Sequence, residues 1–384
     1  MPLLHPTREP DAPQDDARFL PFSAAQRCLF AAAGASPAAI EIDLSRRICA
    51  AALQRAAEAA FSRYPYLNAV LSEGEDGVFL RAATPAVRPA RAADPRAAVD
   101  ISYEKKRIRI RFLRALHDAR AVKPFAELLL ARYFDPLPAR PSFGIERIPP
   151  EERKDPFEAL RPAGALLPFP KEPLRLPSEG TLCRFDVQVD GAEFRYAVRQ
   201  NGATPVLFAA LLWSRAVAER AVLYKKAVRI GLMTDVRTQL DCRGSTLPCT
   251  LSLPLCYDAA AHRKPLPDAA ALLRSDLAIL YDARCVRSLA AERAHSPQEG
   301  NAPCSDTFSL NFFGTLLTRD GAKIESARLC IPDEAPLSVG MAAAGQTITF
   351  TCCRRSASSH LLHAFLRQLS ALGIAYRYES IHPL

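Results

Sequence analysis

Eleven cysteines and seven histidines are the residues here with the widest chemical repertoire, and their spacing excludes most of it. No C-x-x-C pair occurs, so a structural zinc site is not expected. Cys242, Cys249 and Cys256 recur every seven residues, but Pro248 and Pro254 interrupt any helix that would align them, and they read as reduced thiols. Cys352 and Cys353 lie in a strand-like run, where neighbours point to opposite faces; one is expected in the core and the other on the surface. His360 and His363 are three apart on one helix face, a spacing metals use. No carboxylate or cysteine completes that site, so they read as helix surface and no metal is expected. Ser245, Ser305 and Ser309 have no G-x-S-x-G setting, and no glycine-rich phosphate loop is present.

The net charge of +9 suits either a solubilising surface or an acidic partner, such as a phosphorylated cofactor or an acidic carrier protein. Nucleic acid is not expected, because there is no long Lys/Arg block and no interleaving of basic with aromatic residues. No run approaches the roughly 18–20 apolar residues of a membrane span. Residues 1–17 lack the basic region and apolar core of a signal peptide and read as a disordered polar tail. A cytoplasmic location is expected.

The elements that must position any site follow from periodicity. Ala51–Tyr64 places Leu53, Ala57, Ala60 and Phe61 on one helical stripe, and Pro65 ends it. Leu67–Leu71 and Val78–Leu80 flank a turn-rich segment and predict a hairpin. Arg107–Leu113 alternates strictly, with Ile108, Ile110 and Phe112 on one face. Its other face, Arg107, Arg109 and Arg111 with Lys105 and Lys106 ahead, reads as exposed sheet or as a contact for a phosphorylated cofactor. Pro124 is placed in the first turn of a helix over Phe125–Phe134. Residues 136–178 hold eleven prolines and read as a crossover between an N-terminal lobe (18–135) and a C-terminal lobe (179–384). Beyond it come strands at Cys183–Val189, Ala227–Leu232, Thr347–Cys352 and Ile374–Tyr378. Helices are expected at Glu193–Gln200, from Pro205 to about Leu223, at Ala269–Leu280 and at Ser359–Leu372. The class is α/β (mixed α+β).

Four segments in this order resemble the chloramphenicol-acetyltransferase-like superfamily, which includes nonribosomal peptide condensation domains and bacterial alcohol acetyltransferase-like proteins. Leu53–Leu71, through Arg63-Tyr64-Pro65-Tyr66-Leu67, resembles the family's first helix and its exit. Arg107–Tyr133 resembles the strand, turn and helix that carry the H-H-x-x-x-D-G motif. Gly202-Ala203-Thr204-Pro205 resembles the start of the helix opening the second lobe. Ser309-Leu310-Asn311-Phe312-Phe313-Gly314, with Thr347–Phe350 and the last helix, resembles the S-N-x-G strand and the closing elements. The likeness implies two chloramphenicol-acetyltransferase-like lobes, each a mixed β-sheet flanked by helices, with a tunnel at the lobe interface. It also implies a monomer with no bound cofactor.

The implied activity is acyl transfer from a coenzyme A or carrier-protein thioester to an alcohol or amine; the alternative is a catalytically inactive relative that binds a partner protein or an acyl or lipid-like ligand. In the family the second motif histidine is the general base, and the aspartate pairs with an arginine to hold the turn. Here the segment is Leu113-Arg114-Ala115-Leu116-His117-Asp118-Ala119. Aligned on Asp118, Leu113 and Arg114 replace the two histidines and Ala119 the glycine. A guanidinium has no lone pair to accept a proton, and losing the glycine questions the shape of the turn. Arg237, in Thr234-Asp235-Val236-Arg237, is the implied partner of Asp118. His117 is either a displaced base or a structural imidazole. Asn311 and Asp306 are candidate polar tunnel residues, or plain turn and strand-end groups.

Overall fold

A computed structural model describes residues 37–74, 77–90, 94–136, 156–157, 160–161, 172–219, 221, 223, 226–295, 306–317, 323–332, 335–356 and 358–381. The expected tail at 1–17 and most of the crossover at 136–178 lie outside them. In chain order the elements are β1 (Pro37–Leu44), α1 (Ala50–Arg63), β2 (Ala69–Gly74), β3 (Gly77–Ala82), β4 (Val87–Pro89), β5 (Val99–Glu104), β6 (Arg107–Leu113) and α2 (Ala119–Phe134). Then come β7 (Glu172–Pro173), β8 (Cys183–Asp190), α3 (Gly191–Gln200), α4 (Pro205–Ala218), β9 (Lys226–Asp235), β10 (Thr250–Tyr257), α5 (Ala259–His262), α6 (Leu266–Leu280) and α7 (Ala283–His295). The chain closes with β11 (Phe308–Thr315), β12 (Ile324–Cys330), β13 (Leu337–Ala344), β14 (Thr347–Arg354), α8 (His360–Ala371) and β15 (Tyr376–Ile381).

Two mixed sheets result. The first runs β12-β1-β6-β5-β4; the second runs β10-β9-β11-β13-β14-β8-β15, with β7 beside β9. Sheet membership does not follow chain order, because β12, from residues 324–330, pairs antiparallel with β1 and completes the first sheet. In that sheet the strict alternation of β6 has its effect. Ile108 and Ile110 face the same side as Ile40 and Ile42 and pack under Leu53 and Phe61 of α1 and Phe125 and Leu129 of α2. In the second sheet the apolar side of β8, β9, β13 and β14 packs on α4 and α8, where the Trp213 and Phe365 rings stack at 4.0 Å.

The opposite faces of the two sheets are polar and meet each other. Arg107 and Arg109, on the basic side of β6, are therefore half-buried in ion pairs rather than lying on a free sheet surface, while Lys105 and Lys106 ahead of them are exposed. Arg107 Nε lies 2.7 Å from Asp43 Oδ1, and Arg109 Nη2 lies 2.7 Å from Glu41 Oε1. The network crosses to the second sheet: Arg184 Nη2 is 2.9 Å from Glu41 Oε2 and 2.8 Å from Asp186 Oδ2, and Arg328 bonds both Asp186 and Asp43. Burial alone would raise the Glu41 carboxyl, but the hydrogen bond from Arg184 and the charges of Arg184, Arg109 and Arg107 outweigh it and hold it at about 2. Asp43 is held at about 2 by Arg107 and Arg328 against the same penalty. Where β12 passes β13 the backbones nearly touch: a Cβ on Gly340 would fall 1.8 Å from the Leu329 carbonyl oxygen. The same covering corrects the expectation for Cys353. Both Cys352 and Cys353 are buried, because the second face of β14 is closed by β12, with Cys353 Sγ 3.6 Å from Cys330 Sγ.

Some element boundaries differ, among them the end of α4, at Ala218 rather than about Leu223, and the start of α2. The helix expected at Phe125 begins at Ala119, because Asp118 caps it by accepting the Ala121 N–H at 2.8 Å, and Pro124 sits inside. Pro124 forgoes one helical hydrogen bond there and lies on the exposed side.

Removing one partner of a buried ion network leaves the others uncompensated. Arg184→Met is expected to cost about 3–5 kcal/mol in urea unfolding at neutral pH. Glu41 and Asp43 are depressed in the folded state from usual values of 4.5 and 3.8. Their contribution is complete above those values and is lost as the pH falls toward about 2. Arg184→Met should reduce that acid dependence; an unchanged profile would show that Arg184 does not hold Glu41.

Candidate functional site

The segment between β6 and α2 is a tight turn: the N–H groups of Leu116 and His117 both donate to the Leu113 carbonyl, at 2.9 and 3.0 Å. Leu113, which the resemblance aligns with the first motif histidine, is a core residue packed with Ala69, Leu71, Leu80, Ala98 and Leu116. Ala119 is the first residue of α2, and no positive φ is recorded there. The backbone at this position therefore does not require a glycine.

Asp118 is brought to Arg237. The Arg237 Nη2 donates to both carboxylate oxygens, at 3.1 and 3.0 Å. Asp118 Oδ1 also accepts the Ala121 N–H that caps α2, and Oδ2 accepts the Cys249 N–H, each at 2.8 Å. Arg237 is buried, yet every arm is occupied: Nε donates to Ser245 O and Nη2 to Leu247 O, both at 2.7 Å, and Nη1 lies 2.9 Å from Asp235 Oδ1. Burial works against its charge, but the carboxylates of Asp118 and Asp235 outweigh that and hold its pKa above the usual value. The loop from Cys242 to Cys249 is thus wrapped around one guanidinium and joined through it to the start of α2.

His117 faces the same loop. It is 4% exposed, and its Nδ1 lies 3.0 Å from the Thr246 carbonyl oxygen. A carbonyl only accepts, so Nδ1 carries the proton and Nε2 holds a lone pair. That Nε2 is buried and has no hydrogen-bond partner among the described residues. Burial lowers the imidazole pKa most; Thr246 and Asp118 pull it up, Arg237 pushes it down, and it settles at about 4. His117 is therefore a neutral imidazole of fixed tautomer at physiological pH. Arg114, which the resemblance aligns with the motif base, is half-buried and donates from Nη1 to the Pro332 carbonyl at 2.9 Å, beyond β12.

The other candidates divide. Asn311 is half-buried on β11, opposite Gly340 of β13 and Met233 of β9, and its amide has no hydrogen bond among the described residues. Beside it β11 shifts register between Phe312 and Gly314, a bulge that Gly314 makes at φ 89°. Asp306 is committed to structure: it pairs with Arg229 at 3.2 Å, accepts from Ser252 Oγ at 3.1 Å, and fills the space over Gly231. His360 and His363 are exposed on α8. Among the described residues no group of three or more His, Cys, Asp and Glu is placed to hold a metal, and no helix is long and apolar enough to cross a membrane. Nothing in the sequence marks Thr246, Ser245 or Leu247, because each acts through a backbone carbonyl that any residue supplies.

No protein-family model and no curated protein matches the sequence. Solved structures match along almost its whole length. Polyketide synthase associated protein 5 from Mycobacterium tuberculosis shares 14% identity at a TM-score of 0.65, over 93% of this chain and 96% of that one. The condensation domain from Monacolin K polyketide synthase MokA shares 14% at 0.62, over 92% and 96%. TRI101 of F. graminearum, solved with coenzyme A and deoxynivalenol, shares 11% at 0.65, over 93% and 99%. Identities this low show the fold alone: this chain has the two-lobed fold of condensation domains and chloramphenicol-acetyltransferase-like enzymes.

Two outcomes test the geometry. Asp118→Ala, which strips the cap and orphans most of the Arg237 charge, is expected to lower the unfolding free energy by about 3–5 kcal/mol. Asp118→Asn should cost less, because its amide oxygen can still cap α2. For His117 the folded pKa lies below the usual 6.5, so the unfolded chain binds the extra proton between about 6.5 and 4. Stability is complete above that window and falls as the pH drops through it. His117→Phe should lack this component, which amounts to about 2–4 kcal/mol.

Proposed function

We propose that the chain binds an acyl thioester, of coenzyme A or of a carrier protein, and transfers its acyl group to an alcohol or amine with His117 as the base. The observation that carries this reading is the uncommitted Nε2 of His117. A buried acceptor left unpaired costs about 1–3 kcal/mol, and the hydroxyl or amine of an acceptor substrate is the donor that would satisfy it. The Nδ1–H bond to Thr246 orients the ring in the tautomer that a base requires.

In this reading Nε2 takes the proton as the acceptor oxygen or nitrogen attacks the thioester carbonyl. The tetrahedral centre then collapses, the carbon–sulfur bond breaks, and the thiolate leaves with the proton that His117 returns. Asp118 and Arg237 position the turn and do not touch substrate. The Asn311 amide, without a hydrogen-bond partner among the described residues, is the polar group assigned to the acyl oxygen. The fold comparison supports a thioester: the TRI101 structure was solved with coenzyme A. The basic net charge of +9 suits a phosphorylated cofactor or an acidic carrier.

A second reading is favoured by Arg114. Its guanidinium occupies the motif position of the base and is tied to Pro332, while His117 Nε2 is shut off from solvent. A chain built this way would hold a thioester or an acyl ligand without transferring it.

Acetyl-coenzyme A with a panel of alcohols and amines separates the readings. Turnover is expected in the wild type, falling by about 10²–10⁴ in His117→Ala with KM for the thioester unchanged. Because the imidazole stays neutral down to about 4, kcat/KM should hold its value as the pH is lowered from neutrality and fail only as that pH is approached. Equal rates in wild type and His117→Ala would remove His117 from the mechanism. Calorimetric binding without turnover would establish the second reading.

A further inference from the structure

Two pairs of cysteines lie in contact among the described residues. Cys330 and Cys353 meet at 3.6 Å inside the seam between the sheets, and both are buried. Cys242 and Cys249 meet at 3.5 Å, with Cys249 buried and Cys242 half-buried beside exposed Asp241 and Arg243. The second pair closes the two ends of the loop that holds the candidate site. Cys242 N–H donates to the Arg237 carbonyl at 3.0 Å, and Cys249 N–H to Asp118. Between them Ser245 and Leu247 accept from Arg237, and Thr246 accepts from His117. A disulfide needs the sulfurs at about 2.05 Å. From 3.5 Å that is a shift of about 1.5 Å, within reach of side-chain rotation.

We propose that Cys242 and Cys249 form an oxidisable dithiol, closed to a disulfide by a peroxide, that clamps the loop carrying Thr246. Cys242 is the attacking sulfur because it alone of the pair is reachable from solvent. Its thiolate displaces hydroxide or alkoxide from the peroxide and becomes a sulfenic acid. The Cys249 sulfur then attacks the Cys242 sulfur, the S–S bond forms, and hydroxide leaves with the Cys249 proton as water. Two thiols lose two electrons and one peroxide gains them. The surroundings agree with this order. The hydrogen bond from Cys249 lowers the Cys242 thiol and Arg237 adds to that against the effect of burial, whereas that contact and burial both push Cys249 up. Thiolate character at an accessible sulfur beside a positive charge is what directs oxidation to one cysteine. The proposal is independent of acyl transfer: the clamp forms whether or not His117 acts as a base.

The test uses the full reduced chain, treated with hydrogen peroxide, alkylated while folded, and digested with trypsin. Cleavage after Arg237, Arg243 and Arg263 separates Cys242, in peptide 238–243, from Cys249, in peptide 244–263. The expected product is these two peptides joined, with fragmentation placing the link on Cys249 rather than Cys256, and loss of the link in dithiothreitol. Cys242→Ser should abolish it. Oxidation should raise the melting temperature on the order of a few degrees in the wild type, since closing a short loop constrains the unfolded chain. Cys330 and Cys353, sealed in the seam, should stay reduced. Cys242 recovered unlinked, as free thiol or as sulfinic acid, or linked to Cys256, overturns the proposal without recourse to any variant.

Discussion

One carboxylate connects the parts of this molecule that matter. Asp118 accepts four hydrogen bonds: one from the first turn of α2, two from Arg237 and one from the backbone of Cys249. Through it, a helix whose apolar side belongs to the first sheet is tied to the loop joining β9 and β10 of the second. The geometry of the turn before α2 therefore follows from a charge placed 119 residues further along the chain. The loop has no regular structure of its own. It is held by the guanidinium at its centre, which uses backbone carbonyls as partners where a helix or sheet would have used backbone N–H groups.

The sheets are held to each other by a different arrangement. Each buries one apolar face against its own helices and turns a polar face toward its neighbour. An apolar seam would have provided more stabilisation per unit area, since buried ion pairs seldom outweigh their own desolvation. What the charges supply is register. Glu41 meets Arg109 and Arg184, and Asp186 meets Arg184 and Arg328. A slip of β12 by one residue would turn Ser326 and Arg328 to the opposite face, away from Asp43 and Asp186. The near contact of Gly340 with Leu329 fixes the spacing at the same place.

Legibility in the sequence follows the range of the interaction. Strand β6 is readable to the residue because one face meets isoleucine and the other meets charge, so its alternation is complete. Strand β13, Leu337–Ala344, is buried throughout, and with both faces covered it shows no alternation to read. Strand β10 is masked by Pro254, which is tolerated because β10 lies at the sheet edge. The start of α2 is displaced because Pro124 looks like a first-turn proline, while the true cap, Asp118, is also held by Arg237. Alternation in β6 shows that the arginines share a face but not what covers them, because Ser326 reaches Asp43 across 283 residues. Within the site, Asp118 and Arg237 are legible through the family likeness, whereas the Thr246 carbonyl has no signature in any side chain.

That division bears on how the eroded motif should be understood. The aspartate and its arginine stabilise the fold whether or not any chemistry occurs, because removing either leaves a buried charge unpaired. Their presence is therefore no argument for catalysis. The two residues that the resemblance aligns with the motif histidines carry no such penalty: Leu113 joins the apolar cluster, and Arg114 finds a carbonyl at Pro332. His117 is the exception. A lone pair in the interior with no donor among the described residues is a cost to the folded chain, and neither the cap, the ion pair nor the loop needs it. A carbon-for-nitrogen replacement at that ring position would leave every described contact in place and remove the penalty. The weight of a functional reading thus rests on this one nitrogen and not on the better-known residues beside it.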